Sequence, residues 1–153
     1  MPKIFSMQPL VHLAHQKNED ATRKFGQLLQ QQQAAQTKLQ TLEQYRADYQ
    51  TRLQQEIQNG INQINLRNFQ NFIRRLDEAV TQQRNVLEQI GCTIQAGRNE
   101  LENAQRKMRS FDTLAQRHIE QEKKLEEKLE QRQQDEHTGR HSARKVMAAK
   151  DEI

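Results

Sequence analysis

The chain has 153 residues, of which 33% are hydrophobic and 5% aromatic, too little apolar surface to offset the chain entropy of a conventional compact core. Its 24 Lys and Arg against 20 Asp and Glu give +4, and because the excess is scattered rather than blocked, the basic balance does not argue for nucleic acid. One cysteine excludes an internal disulfide and a cysteine-rich metal site, and no apolar run approaches the ~20 residues of a membrane span.

Gln fills 26 positions while Gly and Pro together fill seven, a mixture that favours long uninterrupted helices over sheets and turns. The opening residues Met1-Pro2-Lys3-Ile4-Phe5 lack the apolar stretch of a secretory signal, so the expectation is a chain that stays in the cytosol. From Val11 onward, positions spaced alternately three and four apart read Val11, Ala14, Asn18, Ala21, Phe25, Leu28, Gln32, Ala35, Leu39, Leu42, Arg46, Tyr49, Leu53, Glu56. Most are apolar in a chain that is only one-third apolar, which predicts a first helix over about 8–58 with one seam toward a partner helix. The Gln31-Gln32-Gln33 tract lies inside this frame and reads as solvated helix surface.

Gln58-Asn59-Gly60-Ile61-Asn62 interrupts the pattern. Asn-Gly supplies a left-handed turn, and Asn62 or Asn65 can cap the next helix, so the chain is expected to fold back over 59–64. A second seam then runs from Leu66 through Phe69, Ile73, Leu76, Val80, Gln83, Leu87, Ile90, Ile94, Gly97, Leu101, Ala104, Met108, Phe111, Ala115, His118, Glu122, Leu125 and Leu129 to Arg132, predicting a helix over about 65–138. Gly91 and Gly97 fall inside it and mark tolerated glycines, a softer segment or a close helix approach. Gly139 offers a C-terminal stop near His137, leaving 139–153 as a frayed tail. The predicted fold is all-α: one domain, a long antiparallel two-helix coiled coil with an overhanging second helix.

A turn at Ile61 sets Tyr49 opposite Ile73, Tyr45 near Asp77, Leu42 opposite Val80 and Leu10 beside Asp112. Residues from about 113 to 138 would then overhang the first helix by roughly 37 Å at 1.5 Å per residue, with the Leu125 and Leu129 stripe wet unless another protein covers it. Near the turn, Tyr45, Phe72 and Ala79 fall one place before seam positions and widen the stripe beyond what two strands bury. Leu42, Tyr45 and Tyr49 on one helix then meet Phe72, Leu76 and Ala79 on the other, either as cover over the seam or as a partner-binding surface.

Catalytic and metal signatures are missing. No glycine stands in a phosphate-binding run. His12 and His15 share a helix face without a completing Cys or acidic cluster, and His137 and His141 straddle Gly139. Cys92 has no His nearby in sequence to activate it. Arg74, Arg75 and Arg84 are interleaved with Asp77 and Glu78 rather than forming the basic, aromatic-lined face that nucleic acid requires. The expectation is a protein with no enzymatic activity, no cofactor and no metal.

Leu42-Glu43-Gln44-Tyr45-Arg46-Ala47-Asp48-Tyr49, the turn Asn59-Gly60-Ile61, and Asn68-Phe69-Gln70-Asn71-Phe72-Ile73-Arg74-Arg75-Leu76-Asp77-Glu78-Ala79-Val80 resemble the FliJ family of the bacterial flagellar type III export apparatus. The resemblance implies a cytosolic antiparallel two-helix protein, similar in architecture to the central stalk of rotary ATPases, that docks in the ring of the flagellar export ATPase and promotes its assembly and activity. It also implies contact with the linker of the membrane export-gate protein FlhA, and with it a peripheral place at the cytoplasmic face of the inner membrane. The family's gate-contacting face matches here at Leu42, Tyr45, Tyr49, Phe72, Leu76 and Ala79, with Lys38 and Gln83 at its two further positions. For the ATPase ring the expected segment is the free-ends portion, with Arg106, Lys107, Arg109, Arg117, Lys123, Lys124 and Lys128 as candidate contacts. A generic coiled-coil scaffold, or an escort for export chaperones, is the alternative reading.

Overall fold

The structure, a computed structural model, describes residues 6–151. Helix α1 covers Gln8–Asn59, 52 residues, and helix α2 covers Gln63–Asp151, 89 residues. No strand occurs among the described residues. The chain forms two compact units: one joins the residues up to Gln16 with those from Arg106 onward, and the other runs from Lys17 to Gln105. In each, a segment of α1 packs antiparallel on a segment of α2, so the fold is a helical hairpin.

The helix ends reflect local chemistry. The amides of Leu10 and Val11 both donate to the Met7 carbonyl, at 2.9 and 3.0 Å, and Pro9 falls in the first turn, where a missing N–H costs nothing. α1 stops at Gly60, whose φ of +84° is cheap only without a Cβ. Asn62 caps α2, its Oδ1 accepting from the Asn65 amide at 2.8 Å, so Asn65 is the donor and not the cap. That cap starts α2 at Gln63, two residues ahead of the expected 65.

In the unit Lys17–Gln105 the predicted seam is the buried stripe. From Ala21 to Leu53 on α1 and from Leu66 to Ala104 on α2, every seam position is buried or half-buried, with Val80 the most enclosed at 2% exposed. Tyr49 with Phe72, Arg46 with Asp77 and Lys24 with Glu100 all keep the antiparallel count set by the turn. Three features fix that register. A Cβ at Gly97 would lie 2.9 Å from Leu28 Cδ1, so the glycine lets the leucine in. The seam residue Gln83, 7% exposed, donates from Nε2 to the Ala35 carbonyl across the helix pair at 3.0 Å; a polar group satisfied in one alignment disfavours the others. Arg46 Nε lies 2.5 Å from Asp77 Oδ1, an ion pair by distance whose N–H is not aimed as a hydrogen bond, both atoms being shielded from solvent. The side chains of that pair are otherwise about 40% exposed, so it contributes ~1 kcal/mol at most.

In the other unit Val11 and Ala14 are buried, Met7 is half-buried, and Met108, Phe111, Ala115, His118 and Glu122 are half-buried on α2. His15 Nε2 and Asp112 Oδ1 are 2.7 Å apart. Ala115, His118 and Glu122 are thus partly covered, past the point at which the residue count sets Leu10 beside Asp112. The stretch left uncovered therefore begins after Glu122 and not at about 113, and from Lys123 to Asp151 every residue is exposed.

The expected stop at Gly139 is also corrected. Gly139 lies within α2, which continues to Asp151, and Gly60 is the residue with positive φ among those described. One interior glycine costs ~1 kcal/mol, and Arg140, Ala143, Arg144, Lys145, Met147, Ala148, Ala149 and Lys150 beyond it all favour helix.

Of the two glycines of α2 in the unit Lys17–Gln105, Gly91 has nothing within 4 Å of its Cβ position whereas Gly97 meets Leu28. Gly91→Ala is therefore expected to stabilise the fold by about 0.5–1 kcal/mol through helix propensity, read as a higher Tm by circular dichroism. Gly97→Ala should gain less because Leu28 must move; an equal gain at both sites would mean that the helices do not approach closely at Gly97.

Candidate functional site

The two helices bring the predicted turn-end residues together on one side of the unit Lys17–Gln105, but at different depths. The Tyr49 ring packs on Phe72, centroids 4.4 Å apart and tilted by 40°, and lies 6.2 Å from Phe69. Tyr49 is thereby half-buried, while Phe72 stays 40% exposed and Tyr45 54% exposed. Leu42 and Ala79 are half-buried beside them. These five side chains form an apolar surface in which tilted ring contacts hold Phe72 in place, each such pair adding ~1 kcal/mol beyond its area.

Leu76 and Gln83 lie beneath this surface. Leu76 is 8% exposed and Gln83 7%, and the Gln83 amide is committed to Ala35, so both shape the face from within the seam. Lys38 is exposed one heptad before Tyr45. Val86, 41% exposed, continues the row of Phe72 and Ala79 by one more heptad. The seam pattern singled out Phe72 and Ala79 but not Val86; the repeat of seven is the signal that finds it.

The opposite side of the same helix pair differs chemically. Arg84 Nη2 donates to Glu43 Oε1 at 3.2 Å and Arg46 faces Asp77, so one flank is sealed by ion pairs. On the other flank Tyr45, Phe72, Ala79 and Val86 give an apolar stretch beside Lys38, and two heptads further along the same rows Lys24 faces Glu100 at 3.7 Å. Exposed apolar surface rimmed by polar groups marks an interaction site.

The second set of candidates is on α2 in the other unit. Arg106, Lys107, Arg109, Arg117, Lys123, Lys124 and Lys128 are all exposed. Arg106, Arg117, Lys124 and Lys128 are spaced by eleven, seven and four, which places them on one face of the helix. Leu10, Leu13 and Leu114, 44%, 44% and 39% exposed, lie in the same unit; the heptad pattern passes over them because each sits outside the seam. His15 is engaged with Asp112. Among the described residues there is no metal-binding group of His, Cys, Asp and Glu, and no helix is long and apolar enough to cross a membrane. Cys92 is exposed on α2.

The depths predict opposite outcomes for two neighbours. Leu76→Ala should cost about 2–3 kcal/mol by opening the seam, whereas Tyr45→Ala should change stability by less than about 0.5 kcal/mol, both read from urea unfolding. Equal losses would place Tyr45 in the packed interior.

Comparison with known proteins gives one consistent answer. A protein-family model described as "Flagellar FliJ protein" matches residues 3–146. The chain is 29% identical over 112 residues to the flagellar FliJ protein of Escherichia coli (strain K12), covering 73% of this chain and 76% of that protein. It is 27% identical over 112 residues to the flagellar FliJ protein of Salmonella typhi, with the same shares covered. No solved structure matches.

Proposed function

The chain belongs to the FliJ family of flagellar export components, and from that premise we propose that it is a non-enzymatic cytoplasmic part of the export apparatus, working through two docking surfaces. The first is the Tyr45 and Phe72 face near the turn, which meets the linker of the export-gate protein FlhA. The second is the part of α2 from Arg106 to Lys128, which enters the ring of the export ATPase and promotes its assembly and activity. The protein itself is peripheral at the cytoplasmic face of the inner membrane and reaches it through the gate.

The observation that carries this reading is the apolar face of Leu42, Tyr45, Tyr49, Phe72 and Ala79, on which Tyr45 and Phe72 are exposed and the Phe72 ring is held against Tyr49. A helix pair that had only to hold itself together would place such rings in the seam or replace them with charge. Large aromatic side chains with few rotatable bonds lose little entropy on binding, which is why they dominate the energetics of interfaces. Leu76 and Gln83 support the face from below. For the ATPase end, support comes from the basic row Arg106, Arg117, Lys124 and Lys128, whose last two members lie on the exposed stretch of α2 beyond Glu122.

Phe72→Ala should weaken binding to the FlhA linker by at least about 10-fold, as an interface anchor does, with helicity unchanged. Loss of helicity would instead make Phe72 a residue of the fold. Deleting 123–153 removes only exposed residues among those described and should abolish ATPase stimulation while leaving linker affinity intact, measured by fluorescence anisotropy. Full stimulation by the truncated chain would refute the assignment of that end to the ring.

A further inference from the structure

The seam spacing of α2 does not end where α1 does. Continued by threes and fours from His118 and Glu122, it passes through Leu125, Leu129, Arg132, Glu136, Gly139, Ala143 and Val146. From Leu125 onward all are exposed, Leu125 at 55%, Leu129 at 58% and Val146 at 58%. The helix that carries them runs unbroken to Asp151, so among the described residues the stripe is a continuous helix face with nothing on it.

This stripe is complementary to itself when run backwards. With Arg132 of one copy set opposite Glu136 of another, symmetry sets Glu136 opposite Arg132, Leu125 opposite Ala143, and Leu129 opposite Gly139. The large residues thus meet the small ones, as interdigitating layers need. The space over Gly139 is open, with nothing within 4 Å of its Cβ position, so a leucine from the other copy has room. Beside the seam, Glu126 comes to face Arg140. Two features oppose the arrangement: Asp135 approaches its own equivalent at the axis, and the outermost layer on each side sets Glu122 against Val146. Two central Arg–Glu layers and two flanking Glu–Arg pairs favour it, and opposite charges select partner and orientation in coiled coils.

We propose that residues 122–146 of α2 pair antiparallel with the same segment of a second copy of this chain. Charge and size together identify the occupant. A foreign helix would need acids and bases in the mirror order of Glu126, Arg132, Glu136 and Arg140, which this segment already supplies. Pairing supplies the apolar cover that Leu125 and Leu129 lack. The segment overlaps the ATPase-facing stretch at Lys123, Lys124 and Lys128, so its test reads association of the chain alone, with no ATPase and no export gate present, and its outcome does not depend on either docking surface being right.

Sedimentation equilibrium of the full chain at rising concentration should give a mass that climbs from 18.1 kDa toward twice that value. Arg132→Glu and Glu136→Arg should each hold the chain at the single-copy mass, with helicity by circular dichroism unchanged since both sites are exposed. An equimolar mixture of the two variants should associate again, because each then supplies the charge that the other lacks. A wild-type mass fixed at the single-copy value, a dimer that survives both single substitutions, or a mixture that fails to associate would each overturn the proposal.

Discussion

Two antiparallel helices share only one narrow contact stripe, and the rest of this protein depends on that constraint. The stripe must hold the hairpin together with Val80 as its most enclosed residue, which leaves little tolerance for misalignment. Alignment is fixed by a few specific fits: Leu28 seated over Gly97, the Gln83 amide on the Ala35 carbonyl, and His15 against Asp112. Asn18 Oδ1, buried with no hydrogen-bond partner, is a polar atom the seam tolerates at a cost of ~1–3 kcal/mol. Stability is thus spread thinly along the hairpin and concentrated at no single core.

The same constraint makes surplus apolar residues informative. Whatever the seam does not cover is left in water, so Tyr45, Phe72 and Val86 on one flank, and Leu125 and Leu129 past Glu122, stand out against a Gln-rich surface. Family membership gives the first group a context in flagellar export. The second group draws its meaning from charge order along an unpaired helix. Near the turn the two flanks differ, the Arg84–Glu43 ion pair closing one side and Tyr45 and Phe72 lining the other.

Much of this was legible in the sequence because helix periodicity is a local property. The three-and-four spacing named the buried stripe almost residue by residue, failing within α1 only at Glu56, which is exposed. Asn59-Gly60 and Asn62 located the turn because left-handed φ and side-chain capping are tied to residue type. Properties that depend on two helices together were harder to read. The residue count across the turn ended the covered part of α2 at about 112, whereas half-buried residues continue to Glu122. The spacing set Leu76 and Gln83 in the seam while the family resemblance set them on a contact face, and their burial follows the spacing. Gly139 misled because a glycine looks the same in sequence whether it ends a helix or sits in one; only the run of helix formers after it distinguishes the two.

The most direct test of the functional account is ATP hydrolysis by the cognate flagellar export ATPase, measured with and without this protein at matched salt alongside the fraction of ATPase assembled into rings. The account predicts faster turnover and more rings when the protein is added. Unchanged turnover and assembly, with the added protein folded and helical, would contradict it.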